Sequence, residues 1–247
     1  MKFTELKQDL LEGVYDPGIF KAFFLAGGAG SGKSYSAEKV TGSAAGKFEW
    51  HNSMKKLKPG KVGPFGLKVV NSDEQLEYGL MQAEMPANMK QYSSADIERK
   101  ELIRLKAKEV TKKREAAWIA GRLGLIIDGT AKDPKKLSIK KKKLEDIGYD
   151  TYMIFVNTNL DIALQQNSER KRVLPDEIVI QTWNEVQQIK GQLANIFQRG
   201  FIEVTNNRAG EDVFRKAFGE VSKLIKTPPK SSRAKAWMSQ ELEKKKR

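Results

Sequence analysis

Five short, largely apolar runs punctuate the chain, at residues 21–26, 67–71, 123–128, 152–156 and 201–204. Runs of this length that are apolar on both alternating faces predict strands buried on both sides, the pattern of a parallel sheet. The segments between them read as helices: from the end of the first run to about Gly42, from Asp73 to about Gln82, and then 94–122, 134–148, 159–168, 175–198 and 211–226. Pro134 with Asp133 ahead of it marks one helix start, and Pro228-Pro229 marks one stop. Near Ser94 a capping box is one residue out of step, because the acidic partner falls at Glu98. Residues 42–66 hold five glycines and two prolines and read as a surface excursion. About five strand–helix units predict an α/β domain over residues 21–226, a P-loop-type parallel sheet flanked by helices. Residues 1–20 form an N-terminal helical extension with Phe3, Leu6, Leu10 and Leu11 apolar, and 227–247 form a basic tail with one more helix or none.

The first run leads straight into Gly27, Gly28, Ala29, Gly30, Ser31, Gly32, Lys33 and Ser34. This is the pattern G-x-x-x-x-G-K-[ST] between a strand and a helix. Glycines let successive backbone N–H groups curl around a polyphosphate, and the following helix adds its positive end. Lys33 then reaches the β- and γ-phosphates and the Ser34 hydroxyl binds Mg²⁺, so ATP and Mg²⁺ are the expected cofactors.

In parallel α/β sheets, ligands sit at the carboxyl ends of the strands. Two other strands end in polar signatures there, Asn71-Ser72-Asp73 and Asp128-Gly129-Thr130, and all three strand ends are expected to share one crevice. A carboxylate beside a phosphate cradle suits phosphoryl transfer: Asp73 as base on an attacking hydroxyl, Asp128 as the holder of Mg²⁺. Either aspartate could instead cap the helix that follows it. Further along, 167–175 reads Asn-Ser-Glu-Arg-Lys-Arg-Val-Leu-Pro, placing Arg170 and Arg172 between two helices. Their forked guanidinium groups suit a mobile lid that closes on phosphates, although a solvated basic linker has the same composition.

The net charge of +14 comes almost wholly from two blocks. Residues 132–143 hold seven lysines against one aspartate, and 223–247 hold nine Lys/Arg against two glutamates. Such blocks are the footprint of a polyanion partner, with DNA favoured here, and also the look of a solvated helix face. The chain has no cysteine and a single histidine, His51, which excludes thiolate and histidine-based metal sites. It has no apolar stretch long enough for a membrane span and no apolar run at its start, which points to the cytoplasm.

Across residues 20–200 the sequence resembles the polynucleotide-kinase and zeta-toxin group of P-loop kinases. The resemblance rests on the Gly27 to Ser34 loop, Asn71-Ser72-Asp73, Ile126-Ile127-Asp128-Gly129-Thr130, Pro134-Lys135-Lys136, and the stretch from Asn167 to Pro175. It implies an ATP-dependent kinase with Asp73 as base and Arg170 as lid arginine, with Arg172 as the alternative. Where polynucleotide kinases carry an arginine for the substrate phosphate, three residues after the base, this chain has Leu76. The acceptor is therefore open: a nucleic-acid 5′-hydroxyl, a hydroxymethyl group on a base in phage DNA, or a nucleotide sugar. A nucleotide-gated accessory protein without transfer activity is the remaining reading.

Overall fold

The computed structural model describes residues 13–246 except 51–54, 59, 87, 130, 171, 208 and 209. Residues 1–12 of the expected N-terminal helix, with Thr130, Lys171 and Arg247, lie outside the described residues. The strands are β1 (Lys21–Ala26), β2 (Lys47–Trp50), β3 (Lys55–Lys58), β4 (Lys68–Val70), β5 (Leu125–Ile127), β6 (Asp150–Asn157) and β7 (Phe201–Thr205). The helices are α1 (Lys33–Thr41), α2 (Asp73–Gln82), α3 (Ser94–Ala120), α4 (Pro134–Asp146), α5 (Leu160–Ser168), α6 (Asp176–Phe197), α7 (Glu211–Lys226) and α8 (Ser232–Lys245).

Five strands form one sheet in the order β4-β5-β1-β6-β7, and every pair in it is parallel. The expected α/β architecture is the observed one. β1 lies at the centre, registered as Phe24 against Ile127 on one side and Met153 on the other. Because side chains alternate along a strand, β1 feeds two cores. Ala22, Phe24 and Ala26 face Val186, Leu193 and Phe197 of α6 and Leu144 of α4. Phe23 and Leu25 face Val40 of α1 and Phe214, Val221 and Ile225 of α7. The buried positions of α7, Phe214, Ala217, Val221 and Ile225, repeat every three to four residues, as an amphipathic helix requires. Fully burying one such side chain is worth about 1.5–3 kcal/mol, so the central strand anchors the domain.

Two details differ from the sequence reading, and the tail takes the helical one of its two alternatives. The glycine-rich excursion contains a two-stranded antiparallel hairpin, β2–β3, which its turn residues masked. The capping box does form, but one residue earlier than the near-match at Ser94: Ser93 accepts from the Asp96 amide, and the Asp96 carboxylate accepts from the Ser93 amide. An aspartate does the job usually given to Glu or Gln, which is why the pattern escaped detection. The basic tail forms α8, whose Ala234 is fully buried and whose Trp237 meets Phe20 edge-on at 5.5 Å.

At the opposite end of the sheet from the glycine loop, the Lys21 ammonium donates to Asp150 at 2.7 Å, with the side chains 1% and 10% exposed. Removing one member of a buried pair strands the other's charge, at a cost of about 3–5 kcal/mol. Asp150→Ala should therefore lower the chemical-denaturation stability by that order. The double variant Lys21→Met/Asp150→Ala should recover most of it.

Candidate active site

β1 delivers the chain into a loop whose backbone only glycine accepts freely. Gly30 and Gly32 have φ of 75° and 77°, in the left-handed region. Space forbids a side chain there as well: a Cβ on Gly30 would overlap the carbonyl oxygen of Ala163, and one on Gly32 would overlap the Asn206 carboxamide. The loop is braced from outside. The Ser31 carbonyl accepts from Thr158 Oγ1 and from Asn206 Nδ2, each at 3.0 Å. The Ala29 amide donates to Thr182 Oγ1 at 3.2 Å, and Trp183 Nε1 donates to the Thr158 carbonyl at 2.6 Å. Thr158 and Asn206 sit just beyond β6 and β7, so the neighbouring strands hold the loop open at their carboxyl ends.

Lys33 opens α1, and its ammonium donates to the carbonyls of Gly27 and Gly28 at 2.9 and 2.8 Å. Burial pushes its pKa down, opposed by Asp128, while Arg170 adds to the lowering. A partly buried cation hydrogen-bonded to its own loop's carbonyls, at the first turn of a helix, suits a polyphosphate. Ser34 follows on the same turn.

Asp128 ends β5, directly beside β1. Asn71 links it to Asp73: the carboxamide donates to Asp128 Oδ2 and accepts from the Asp73 amide, both at 2.6 Å. Asn71 thus does the local capping work at the start of α2. The N-cap of α4 is Asp133, so neither Asp73 nor Asp128 is used as a helix cap. Asp73 Oδ2 instead accepts from Arg172 Nη2 at 2.8 Å, and Arg172 Nε faces Glu77 at 3.5 Å. Arg170 lies in the same field: burial and Arg172 lower its pKa, with Asp73, Glu77 and Asp128 opposing.

The structure therefore brings Lys33, Asp73, Asp128, Arg170 and Arg172 within one another's electrostatic reach beside the glycine loop. The segment that carries the two arginines is tied to the rest of the domain at its ends. Asn167, fully buried, accepts from the Leu174 amide at 3.1 Å and donates to the Leu174 carbonyl at 2.9 Å. The Val173 carbonyl accepts from the Met89 amide, and Leu174 packs with Leu76, Leu80 and Met89. The arginine loop is pinned at its ends. Sequence reasoning gave no role to Asn167, Glu77, Thr158, Thr182, Trp183 or Asn206. Of these, Thr158 and Asn206 carried a usable signal, being polar residues just past apolar strands.

The lysines of the 132–143 block are largely engaged with carboxylates: Lys140 with Glu115 at 2.5 Å, Lys141 with Glu145 at 2.6 Å and Lys142 with Asp146 at 3.4 Å.

Burial, partly offset by Lys33, raises the Asp128 pKa to about 6. The folded state thus holds that proton more tightly than the unfolded chain. The associated stability is present below about pH 4 and lost as pH rises through about 6, reaching about 2–3 kcal/mol at pH 8. Asp128→Asn keeps an oxygen for Asn71 and cannot ionise. Urea unfolding should show the variant gaining stability over wild type at pH 8 and little at pH 4.

No protein-family model and no curated protein matches the chain. Among solved structures it is similar to shikimate kinase from Bacteroides thetaiotaomicron, at 11% identity over 84% of this chain and 99% of that one, with a TM-score of 0.46. Deoxyadenosine kinase from M. mycoides with bound dATP gives 11% identity over 84% and 100%, with a TM-score of 0.46. The PezAT chromosomal toxin-antitoxin system of Streptococcus pneumoniae gives 13% over 83% and 82%, with a TM-score of 0.42. The chain's own geometry defines its class: an α/β protein with a P-loop between its central parallel strand and first helix. No helix among the described residues is long and apolar enough to cross a membrane.

Proposed function

We propose that the chain is an ATP-dependent phosphotransferase with an alcohol group as acceptor. One observation carries this reading: Asp73, whose backbone amide is held by Asn71, has its carboxylate fixed by Arg172 within electrostatic reach of Lys33. A binding module needs no such group. The loop amides and Lys33 would hold the β- and γ-phosphates of ATP. Ser34 and Asp128 would hold Mg²⁺, which usually keeps several waters and takes only one or two protein oxygens. When bound, Mg²⁺ neutralises charge on the phosphates. Asp73 orients the acceptor hydroxyl and takes its proton. Lys33 and Arg170 offset the charge that develops on the transferring group.

For the acceptor, the two lysine blocks support a nucleic-acid hydroxyl, either a 5′-hydroxyl or a hydroxymethyl group on a base. The pairing of Lys140, Lys141 and Lys142 with carboxylates favours a second reading, a small acceptor such as a nucleotide sugar. The test is transfer from γ-labelled ATP to single-stranded and duplex DNA, RNA, hydroxymethyl-containing DNA, nucleosides and nucleotide sugars. Label should appear on one acceptor class. Nucleotide binding without label on any acceptor would favour the accessory-protein reading.

A further inference from the structure

The 132–143 lysine block has a basic neighbour that is far from obvious along the chain. Residues 104–116 of α3 carry six lysines and arginines against Glu109 and Glu115. These charges are interleaved with apolar and acidic residues, so the stretch does not read as a block. The fold sets it beside α4. Lys140 of α4 meets Glu115 of α3 at 2.5 Å, and Trp118 and Ile119 of α3 join the core cluster that holds Leu137 and Leu144 of α4. Lys108, Lys112 and Glu115 are spaced by four and three residues and so share one side of α3. Lys136, Lys140 and Lys143 share one side of α4 by the same spacing. The contact between Glu115 and Lys140 turns these two sides toward each other. Between the helices runs a seam with the Glu115 side chain, 14% exposed, at its floor and lysines along both rims.

The positive excess survives a count of the carboxylates in ion-pair reach. Together the two stretches hold thirteen lysines and arginines against Glu109, Glu115 and Asp133. Five carboxylates from outside them, Glu74, Glu101, Glu145, Asp146 and Glu185, stand 3.8 Å or less from one of those cations. Five positive charges still remain. Lys108, Lys112 and Lys143 are exposed and, among the described residues, form no ion pair. Lys108 reaches Glu101 only through the longer-range field.

The seam opens onto the candidate site. Thr111, on α3 between Lys108 and Lys112, has its hydroxyl 3.5 Å from the Asn71 carbonyl, and the Asn71 carboxamide holds Asp128. The other basic block lies elsewhere. α8 packs through Ala234 against Gly148 and through Trp237 against Phe20, and the Lys230 amide just ahead of it reaches Asp150, at the far end of the sheet.

We propose that the seam between α3 and α4 binds the phosphate backbone of a nucleic acid, with Lys108, Lys112 and Lys143 as its unpaired cations. This rests on the nucleic-acid reading of the acceptor and names the surface that would lead the strand to the Asp128 end of β5. Backbone contacts of this kind supply affinity without reading sequence. A membrane surface fits less well, because the six positions that line the seam carry no apolar side chain to insert.

The test is fluorescence anisotropy of short labelled single strands and duplexes of mixed sequence, titrated with the full chain across a salt series. Lys108→Gln/Lys112→Gln/Lys143→Gln should flatten the log–log salt slope by about 2–3, the share of three phosphate contacts at about 0.7–0.9 each, and weaken binding at least about tenfold at low salt. Arginine at the same three positions should keep the slope. Lys244→Gln/Lys245→Gln/Lys246→Gln removes the same charge from the tail and should leave the slope unchanged. MgATP affinity should be equal in all of these proteins. Three results would overturn the proposal: no binding of wild type to either nucleic acid, equal flattening in the seam and tail variants, or wild type that binds phosphatidylserine vesicles but not nucleic acid. The phosphotransferase reading survives each of them, with a small acceptor. Loss of MgATP affinity in the seam variant would also overturn the proposal, by placing these lysines at the nucleotide loop. Nucleic-acid binding that depends on the seam, with no label transferred to any acceptor, would instead sink the phosphotransferase reading and leave the seam standing.

Discussion

Replacing Lys33 with alanine should reduce phosphoryl transfer by at least about 10²–10³-fold, the range seen when one preorganised group facing developing charge is removed. In the proposed function Lys33 is the side-chain cation that faces the phosphates, and its ammonium is held within the loop by the Gly27 and Gly28 carbonyls. Alanine would forfeit both the charge and this positioning. The fold should survive, because Lys33 begins α1 rather than packing in either core and its burial disfavours the charged form. Unfolding curves of the variant should therefore match wild type within about 1 kcal/mol, the scale of an ordinary substitution outside the core. A folded Lys33→Ala protein with near wild-type transfer would contradict the P-loop assignment.

Asp73→Asn separates base from binder. Asparagine keeps the size of the side chain and an oxygen for Arg172, so the arginine loop should stay where Asn167 and Arg172 hold it. What is lost is the ability to take a proton. Turnover should fall about 10²–10⁴-fold, the usual contribution of a positioned general base, while MgATP affinity stays unchanged. Pre-steady-state transfer measured at saturating MgATP checks this, with affinity read by equilibrium titration. If affinity and turnover fell together, Asp73 would belong to the metal and phosphate cradle.

Much of this site could be read from the chain because its chemistry is local. The loop from Gly27 to Ser34 needs consecutive glycines, a lysine and a serine in one stretch, and the strand and helix around it are themselves contiguous. Asp73 and Asp128 were found because strand ends in parallel sheets share one edge, a rule of topology that needs no contact map. The braces were not legible in the same way. Asn71 meets Asp128 across 57 positions, Asn206 reaches Ser31 across 175, and Arg172 meets Asp73 across 99. No local periodicity encodes such pairs. The ties of the arginine segment were hidden for a related reason: composition showed two arginines between helices, but the Asn167 clasp and the packing of Leu174 join residues that no local pattern pairs. The hairpin β2–β3 was hidden because its flanking glycines and prolines outweigh its short strands in any local reading.

The central claim is that the Gly27 to Ser34 loop holds a nucleoside triphosphate. Calorimetric titration of MgATP into the full chain tests it most directly, alongside Lys33→Ala and a Gly30→Val variant whose side chain collides with the Ala163 carbonyl and distorts the loop. Saturable one-to-one binding to wild type, weakened at least tenfold in both variants, is the predicted result. No heat with MgATP or any other nucleoside triphosphate, or equal affinity in all three proteins, would contradict it.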